Sequence, residues 1–283
     1  MVAEDSERGE ASPTPRGPFR QFFSLRRDVL VLSVAMFAFS LGFQMTSRYL
    51  PEYMRLLGAG GLAIGLFGTV QNFVGAAYPY PGGALSDRIG SRRALTLFGA
   101  LSVLGFGIWL LAGTLGPVVV LGATIEPWFW LFVGLFFAQA WKSLGLGATF
   151  AIVKQAVPPD RLARGFASTE VFRRLAFLVG PLLAAGILHV VADVTEGFQV
   201  ILAIAILVGV AATALQHRLY ESADTTVGTS FAGLDGIRHD LAALPAELRP
   251  LLVADTLVRV GNGMVYVFFV IVVTEFLGVG LSV

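Results

Sequence analysis

Seven apolar stretches, each long enough to cross a lipid bilayer, constrain this chain more than any other feature of its sequence. About 20 apolar residues in a helix cross roughly 30 Å of hydrocarbon, because each residue advances the helix by about 1.5 Å. A strand-based barrel would show shorter stretches in which apolar and polar residues alternate. The sequence therefore predicts seven membrane-spanning helices, at 29–50, 62–85, 94–115, 127–153, 166–191, 197–217 and 250–276.

The composition agrees with a lipid environment. Hydrophobic residues make up 55% of the chain and charged residues 14%, whereas soluble domains carry about 25% charged residues. The net charge of +1 gives no electrostatic footprint for nucleic acid. Backbone groups in lipid must pair within their own helix, so we expect an all-α integral membrane fold.

The residue types present give little support to a catalytic or metal-binding site. The chain has no cysteine, which excludes disulfides and thiolate sites. Its histidines, His189, His217 and His239, are scattered and do not predict a metal cluster. We expect no catalytic residue, no metal and no cofactor, and therefore a protein that is not an enzyme.

Basic residues cluster at alternate ends of the apolar stretches. Five of the 20 Lys and Arg residues precede the first stretch, and further groups follow the second, fourth and sixth, whereas the opposite side holds Arg48 and Arg55. Cytoplasmic loops carry the excess of Lys and Arg in membrane proteins. We therefore expect a multi-pass protein of the cell membrane with its N-terminus in the cytoplasm and its C-terminus outside.

Polar stretches divide the chain into four segments. Residues 1–27 predict a disordered cytoplasmic tail, and residues 28–217 predict a six-helix transmembrane bundle. Residues 218–249 predict a cytoplasmic linker with an amphipathic helix, because apolar residues recur there at helical spacing. Residues 250–283 contain the seventh helix and the start of a second bundle.

The loop between the second and third helices carries the most specific pattern. It reads GGALSDRIGSRRAL at residues 82–95. This stretch resembles the signature of the major facilitator superfamily, G-x-L-x-D-R-x-G-x-R-R, and lies in the cytoplasmic loop where that family carries it. The matching residues are Gly83, Leu85, Asp87, Arg88, Gly90, Arg92 and Arg93.

The resemblance implies that this loop is a conformational latch. In the family, the aspartate holds two helical bundles together on the cytoplasmic face, and Asp87 takes that role here. The residue types agree, because Gly83 at a helix end lets another helix approach and Gly90 permits a tight turn. The loop between the fourth and fifth helices is also similar to the family's, with Arg164 and Gly165 matching.

The fifth helix contains a Gly-Pro pair. It reads AFLVGPLLAAG at 176–186 and resembles, at Gly180 and Pro181, the antiporter motif of some family members. A Gly-Pro pair loosens a membrane helix, and small residues permit close packing. Two interpretations stay open: an antiporter motif, or a packing kink with no bearing on the direction of transport.

Several polar residues lie at membrane depth, where they are costly and usually face a cavity or one another. Lys142 lies near the middle of the fourth helix, either as a cavity residue able to bind an anion or as a salt-bridged structural lysine. Asp255 and Arg259 are four residues apart on the seventh helix, which predicts an ion pair. The candidate cavity residues are Lys142, Gln71, Asn72, Gln44, Gln139 and Asn262.

Together these patterns indicate the N-terminal six-helix bundle of a major facilitator transporter plus the first helix of a second bundle, where family members usually have twelve helices. The resemblance implies secondary active transport of a small solute by alternating access, usually coupled to protons, with efflux by antiport as one form. We expect a truncated form whose partners are the solute, the lipid bilayer, and the missing C-terminal half or a second copy. The alternative is a non-transporting membrane module that pairs with another membrane protein.

Overall fold

The computed structural model describes residues 27–120, 123–157, 162–191, 193–219, 245–266 and 268–278. The expected tail, as far as residue 26, and residues 220–244 of the expected linker at 218–249 lie outside the described residues. The helices are α1 (Arg27–Ser47), α2 (Leu50–Leu56), α3 (Gly61–Ala77), α4 (Pro79–Ile89), α5 (Ser91–Leu115), α6 (Phe129–Ala138), α7 (Gly145–Ala156), α8 (Leu162–Val190), α9 (Val194–Leu219), α10 (Leu248–Tyr266) and α11 (Phe269–Glu275), with a π-helical turn, Ala140–Leu144, between α6 and α7.

Five of the expected spans are confirmed as helical segments long and apolar enough to cross a membrane. They are the first, third, fourth, fifth and sixth spans, at Val29–Ser47, Ser91–Leu115, Phe129–Lys154, Gly165–Val190 and Val194–Leu219. The fourth span comprises α6, the π turn and α7. The all-α membrane class expected from the sequence is therefore confirmed.

The second span differs from the single helix that the sequence predicts at 62–85. It consists of α3 and α4, which meet at Tyr78. Tyr78 keeps helical backbone angles, and its N–H still donates to the Val74 carbonyl. Pro79 and Pro81 follow, and each lacks the N–H that would continue the hydrogen-bonded ladder. The interruption therefore follows from the two prolines, a signal that is present in the sequence.

The predicted seventh span, whose helices are not among the five described above as long and apolar enough to cross a membrane, also contains two helices, as the first does. The first contains a 21-residue helix, α1, and then the seven-residue helix α2, and the seventh contains a 19-residue helix, α10, and then the seven-residue helix α11. Each short helix is followed by a glycine with positive φ, Gly58 at 92° and Gly278 at 65°. Glycine is favoured there because a Cβ atom disfavours that conformation.

The first span lies at the centre of the bundle. Helix α1 packs against α8 and α9, while α5 packs against α6 and α9. Trp109 on α5 is fully buried, and its indole N–H donates to the Leu131 carbonyl on α6 at 2.8 Å. Lipid tails are as apolar as the side chains, so close packing and interhelical hydrogen bonds hold the spans together.

A two-stranded hairpin, which the sequence analysis does not predict, connects the third and fourth spans. Strand β1 (Val118–Val120) pairs antiparallel with β2 (Ala123–Ile125), with Val118 opposite Ile125. Consecutive β-branched residues favour extended backbone, which accounts for the strands. This hairpin is the only departure from helical secondary structure among the described residues.

The seventh span contacts the rest of the chain near its C-terminal end. The Arg48 guanidinium lies 5.7 Å from the centre of the Tyr266 ring. Arg55 on α2 forms a 2.5 Å ion pair with Glu52, and its other nitrogen lies 3.7 Å from Glu275 on α11. Glu52 accordingly raises the pKa of Arg55. These contacts join the C-terminal ends of the first and seventh spans.

Candidate functional site at the membrane centre

The fourth span is interrupted at its middle by the π turn, which the sequence does not predict. The span covers 26 residues, and Lys142 is the fourteenth of them, within the turn. The Gly145 N–H donates to the Ala140 carbonyl, five residues earlier, as a π turn requires. Such single turns inside α-helices occur frequently at functional sites. The position of the turn therefore directs attention to the side chains around it.

A serine from the third span pairs with one backbone group just before this turn and with one inside it. Ser102 on α5 is buried, with 1% of its surface exposed. Its hydroxyl donates to the Ala138 carbonyl at 3.1 Å and accepts from the Trp141 N–H at 2.8 Å. Unpaired backbone groups at membrane depth are costly, so this one side chain stabilises the turn.

The π turn presents Trp141 and Lys142 to two aromatic residues of α1. The Trp141 ring stacks on Phe39 with 4.5 Å between centroids, and its indole N–H donates to Gln216 at 3.3 Å. The Lys142 ammonium lies 4.0 Å from the centre of the Phe43 ring. Phe39 and Phe43 are four residues apart and share one face of α1. Lys142 is thereby oriented, yet its side chain is exposed.

The candidate amides do not form one group with Lys142. Gln139 is buried, and its amide N–H donates to the Gln71 backbone carbonyl at 3.3 Å, which links the fourth and second spans. Its amide oxygen has no hydrogen-bond partner. Gln44 is buried in a packing contact described below, whereas Asn72 and Asn262 are exposed. Gln139 therefore makes an interhelical hydrogen bond through its side-chain amide, and Gln71 takes part through its backbone carbonyl alone.

A second group of charged residues lies on the fifth span. Glu170 accepts from Arg173 at 2.6 Å and from Arg174 at 2.8 Å. The Arg173 guanidinium also lies 5.5 Å from the centre of the Phe177 ring. Arg173 is close enough to Lys142 for their charges to interact. The two clusters therefore belong to one electrostatic environment.

The latch loop forms the tight turn expected at Gly90. Gly90 lies between α4 and α5 with φ of 84°, a backbone conformation that disfavours other residues. Asp87 and Leu85 are half-buried, and Arg88 and Arg93 are exposed.

Arg92 has an additional contact within the bundle. Its guanidinium donates to the His217 carbonyl at 2.8 Å, in the last turn of α9. The Thr96 hydroxyl lies 3.0 Å from His217 Nδ1. A cation is favourable at a helix C-terminus, where carbonyl groups lack partners. Arg92 therefore fastens α5 to the end of α9, a role that the motif alone does not indicate.

The close approach expected at Gly83 also involves its neighbour Gly82. A Cβ atom on Gly82 would overlap the backbone of Leu144, the last residue of the π turn. A Cβ on Gly147 would lie 3.0 Å from Gly83 Cα, whereas a Cβ on Gly83 would meet nothing within 4 Å. The helix that carries the latch motif is thus packed directly against the π turn.

The Gly-Pro pair of the fifth span lies against α1. Helix α8 continues through Pro181 without interruption, from Leu162 to Val190. A Cβ on Gly180 would lie 2.8 Å from Gln44 Cβ and 3.2 Å from the Met45 nitrogen. Ala176 and Ala184, one turn away on either side, are fully buried. These contacts support a packing role for the pair.

Two further expected features are only partly visible. Gly165 is buried against Val157, but the side chain of Arg164 lies outside the described residues. Asp255 is exposed on α10, and the side chain of Arg259 also lies outside the described residues. The expected ion pair between Asp255 and Arg259 therefore stays a prediction.

Comparison with known proteins agrees with this architecture. Two uncharacterised MFS-type transporters from Mycobacterium tuberculosis, of strains H37Rv and CDC 1551, are each 28% identical to the chain over 169 residues. The match covers 59% of this chain and 36% of each relative, so the chain spans well under two thirds of their length. The sequence profile of the Major Facilitator Superfamily matches residues 2–125 and 32–282. Because the second match covers most of the chain, this multi-pass membrane protein belongs to the major facilitator superfamily.

Proposed function

We propose that this protein takes part in secondary active transport of a small solute across the cell membrane by alternating access. Its N-terminus lies in the cytoplasm, and a proton gradient drives the movement, with efflux by antiport as one form. Family membership and the MFS-type transporter relatives support transport in general. The mechanism requires a water-accessible site near the membrane centre that opens to each side in turn.

Lys142 is the observation that carries this proposal. It is the fourteenth residue of a 26-residue span, and its side chain is exposed. A charged side chain at the centre of a lipid-facing helix costs about 2.5–3.5 kcal/mol or more. An exposed lysine at that depth faces water or another protein surface, and alternating access requires an aqueous cavity there.

The latch motif supplies the conformational part of the proposal. Asp87 lies near the end of α4, and α4 packs through Gly82 against the last residue of the π turn. A movement of the cytoplasmic latch is thereby linked by direct contact to the segment that holds Lys142. Rigid packing transmits such displacements because helices in contact cannot deform independently.

A cysteine accessibility experiment tests the proposal without knowledge of the solute. The chain has no cysteine, so each variant carries a single thiol. Lys142→Cys is expressed in cells and treated with a membrane-impermeant sulfonated maleimide, which reacts with thiols in water. The matched control is Leu207→Cys, because Leu207 is 69% exposed and is also the fourteenth residue of a 26-residue span, the sixth.

We expect labelling at position 142 and none at position 207, since an apolar exposed residue at that depth faces lipid. Applied to intact cells and to inverted vesicles, the reagent should reach position 142 from both sides, in a ratio that a proton gradient shifts. Asp87→Asn should raise access from the cytoplasmic side. No labelling at position 142, or labelling from one side regardless of gradient, would instead favour a non-transporting membrane module.

A further inference from the structure

We infer that the transported solute is an organic anion with an apolar part, bound between Lys142 and the aromatic residues beside it. This inference rests on the proposed transport function and names the class of solute that the same site would accept. It is drawn from the charges around the π turn, the restraint of Lys142, and the chemistry of the surfaces that flank it.

The charges around Lys142 do not balance. Among the described residues, no carboxylate lies within ion-pair distance of its ammonium group. The charged group that acts on it is Arg173, which is also positive. Glu170 is shared between Arg173 and Arg174. Among the described residues, Lys142 therefore has a positively charged neighbour, Arg173, and its own ammonium has no carboxylate partner.

An excess of positive charge selects the sign of the solute. Charges of one sign in a site with low-dielectric walls raise the local concentration of the opposite ion. A cationic solute would be repelled, and a neutral one would leave the ammonium group without a counter-charge. A carboxylate or phosphate compensates the excess, and a lysine ammonium is a point charge suited to either.

Lys142 is positioned in advance for such a contact. The π turn is held by Ser102, and the adjacent Trp141 is stacked on Phe39. The ammonium group is attracted to the face of Phe43, and Lys142 as a residue is exposed. Little side-chain freedom is lost when a ligand binds a group that is already oriented, which favours binding.

Apolar aromatic surface accompanies the charges. Phe177 lies beneath Arg173 with 38% of its surface exposed, whereas Phe43, beneath Lys142, is buried. Binding sites for small molecules are mostly apolar, with a few charged groups that fix orientation. This combination fits an anion that carries a hydrocarbon or aromatic part better than a small inorganic ion.

The local charge is measured directly with two thiol reagents of opposite sign. Phe177→Cys in the full chain is reacted with the anionic sulfonatoethyl and the cationic trimethylammonioethyl methanethiosulfonates, with the neutral methyl reagent as reference. Rates are divided by those of free 2-mercaptoethanol to remove intrinsic reactivity. We expect the anionic reagent to be favoured on the order of tenfold, since focused charge alters encounter rates by about that factor or more.

Two further variants in the Phe177→Cys background test whether Lys142 causes the preference for the anionic reagent. Lys142→Met should reduce the preference several-fold, whereas Lys154→Met, at an exposed lysine near the end of α7, should leave it unchanged. An unchanged rate with the neutral reagent shows that each variant is folded. A preference for the cationic reagent, or no response to Lys142→Met, would overturn the anion inference while leaving the aqueous cavity intact. Failure of all three reagents to react would overturn the proposed function itself.

Discussion

Replacing Ser102 with alanine tests whether a hydroxyl from the third span holds the π turn of the fourth. The change removes one oxygen, and with it the hydrogen bonds to the Ala138 carbonyl and from the Trp141 N–H. The residue is almost fully buried, so water does not replace the lost partner. The backbone shape of α5 is unaffected because alanine is a good helix former.

The expected loss of unfolding free energy is about 1–2 kcal/mol. Leaving a buried polar group unpaired costs about 1–3 kcal/mol in soluble proteins. Interhelical hydrogen bonds in membrane proteins average about 0.6 kcal/mol, with a maximum near 1.7, because the unfolded chain in lipid also finds partners. Ser102 serves two backbone groups, one just before an irregular turn and one inside it, so we place it at the upper part of the membrane range.

Ser33→Ala is the matched control. Ser33 has the same 1% exposure, but its hydroxyl donates to the Val29 carbonyl of its own helix at 2.7 Å. That carbonyl can accept a backbone hydrogen bond within its own helix, so it does not depend on the hydroxyl for a partner. We therefore expect Ser33→Ala to change the unfolding free energy by less than about 0.5 kcal/mol.

Unfolding of each purified variant in mixed detergent micelles, with increasing SDS and followed by circular dichroism, gives the two free energies. If the two serine variants lose the same unfolding free energy to within about 0.5 kcal/mol, the reasoning is refuted. That outcome would mean that the π turn relaxes into a regular helix, or that it is held by other contacts.

Three smaller predictions concern glycines and an ion pair, each measured as thermal stability in detergent. Gly82→Ala should destabilise strongly because its Cβ would overlap the Leu144 backbone, whereas Gly83→Ala, with open space around it, should not. Gly90→Ala should cost about 1–2 kcal/mol for its positive φ, and Gly75→Ala, in open space within α3, should be neutral or stabilising. Glu275→Gln should change stability by less than about 1 kcal/mol, because the ion pair that it removes is exposed.

The features that the sequence predicts correctly depend on residue type alone. Apolar length identifies five of the spans, since lipid requires it of any crossing helix. Glycine at position 90 indicates the turn that the structure contains. Arg173 and Arg174 lie one helical turn from Glu170, so their ion pairs follow from spacing.

The features that sequence reasoning misses depend on how helices are rotated against one another. The role of Gly82 depends on which side of α4 faces Leu144. The π turn depends on a hydroxyl 39 residues earlier in the chain, at Ser102, and no residue type within the turn demands it. The interruption at Tyr78 is different, because Pro79 and Pro81 make it predictable from the sequence.

The π turn changes which residues of the fourth span face the same side, compared with an uninterrupted α-helix. It contains one more residue per turn than an α-helix, and one residue is equivalent to a rotation of about 100°. Helical spacing counted from Phe129–Ala138 into Gly145–Ala156 therefore identifies residues on a common face only after one residue is added to the count. A relative without the turn would place a different residue opposite Phe43, even with identical flanking sequence. The identity of the group at the membrane centre is therefore governed by a single inserted position, so an insertion or deletion there changes the site more than most substitutions would.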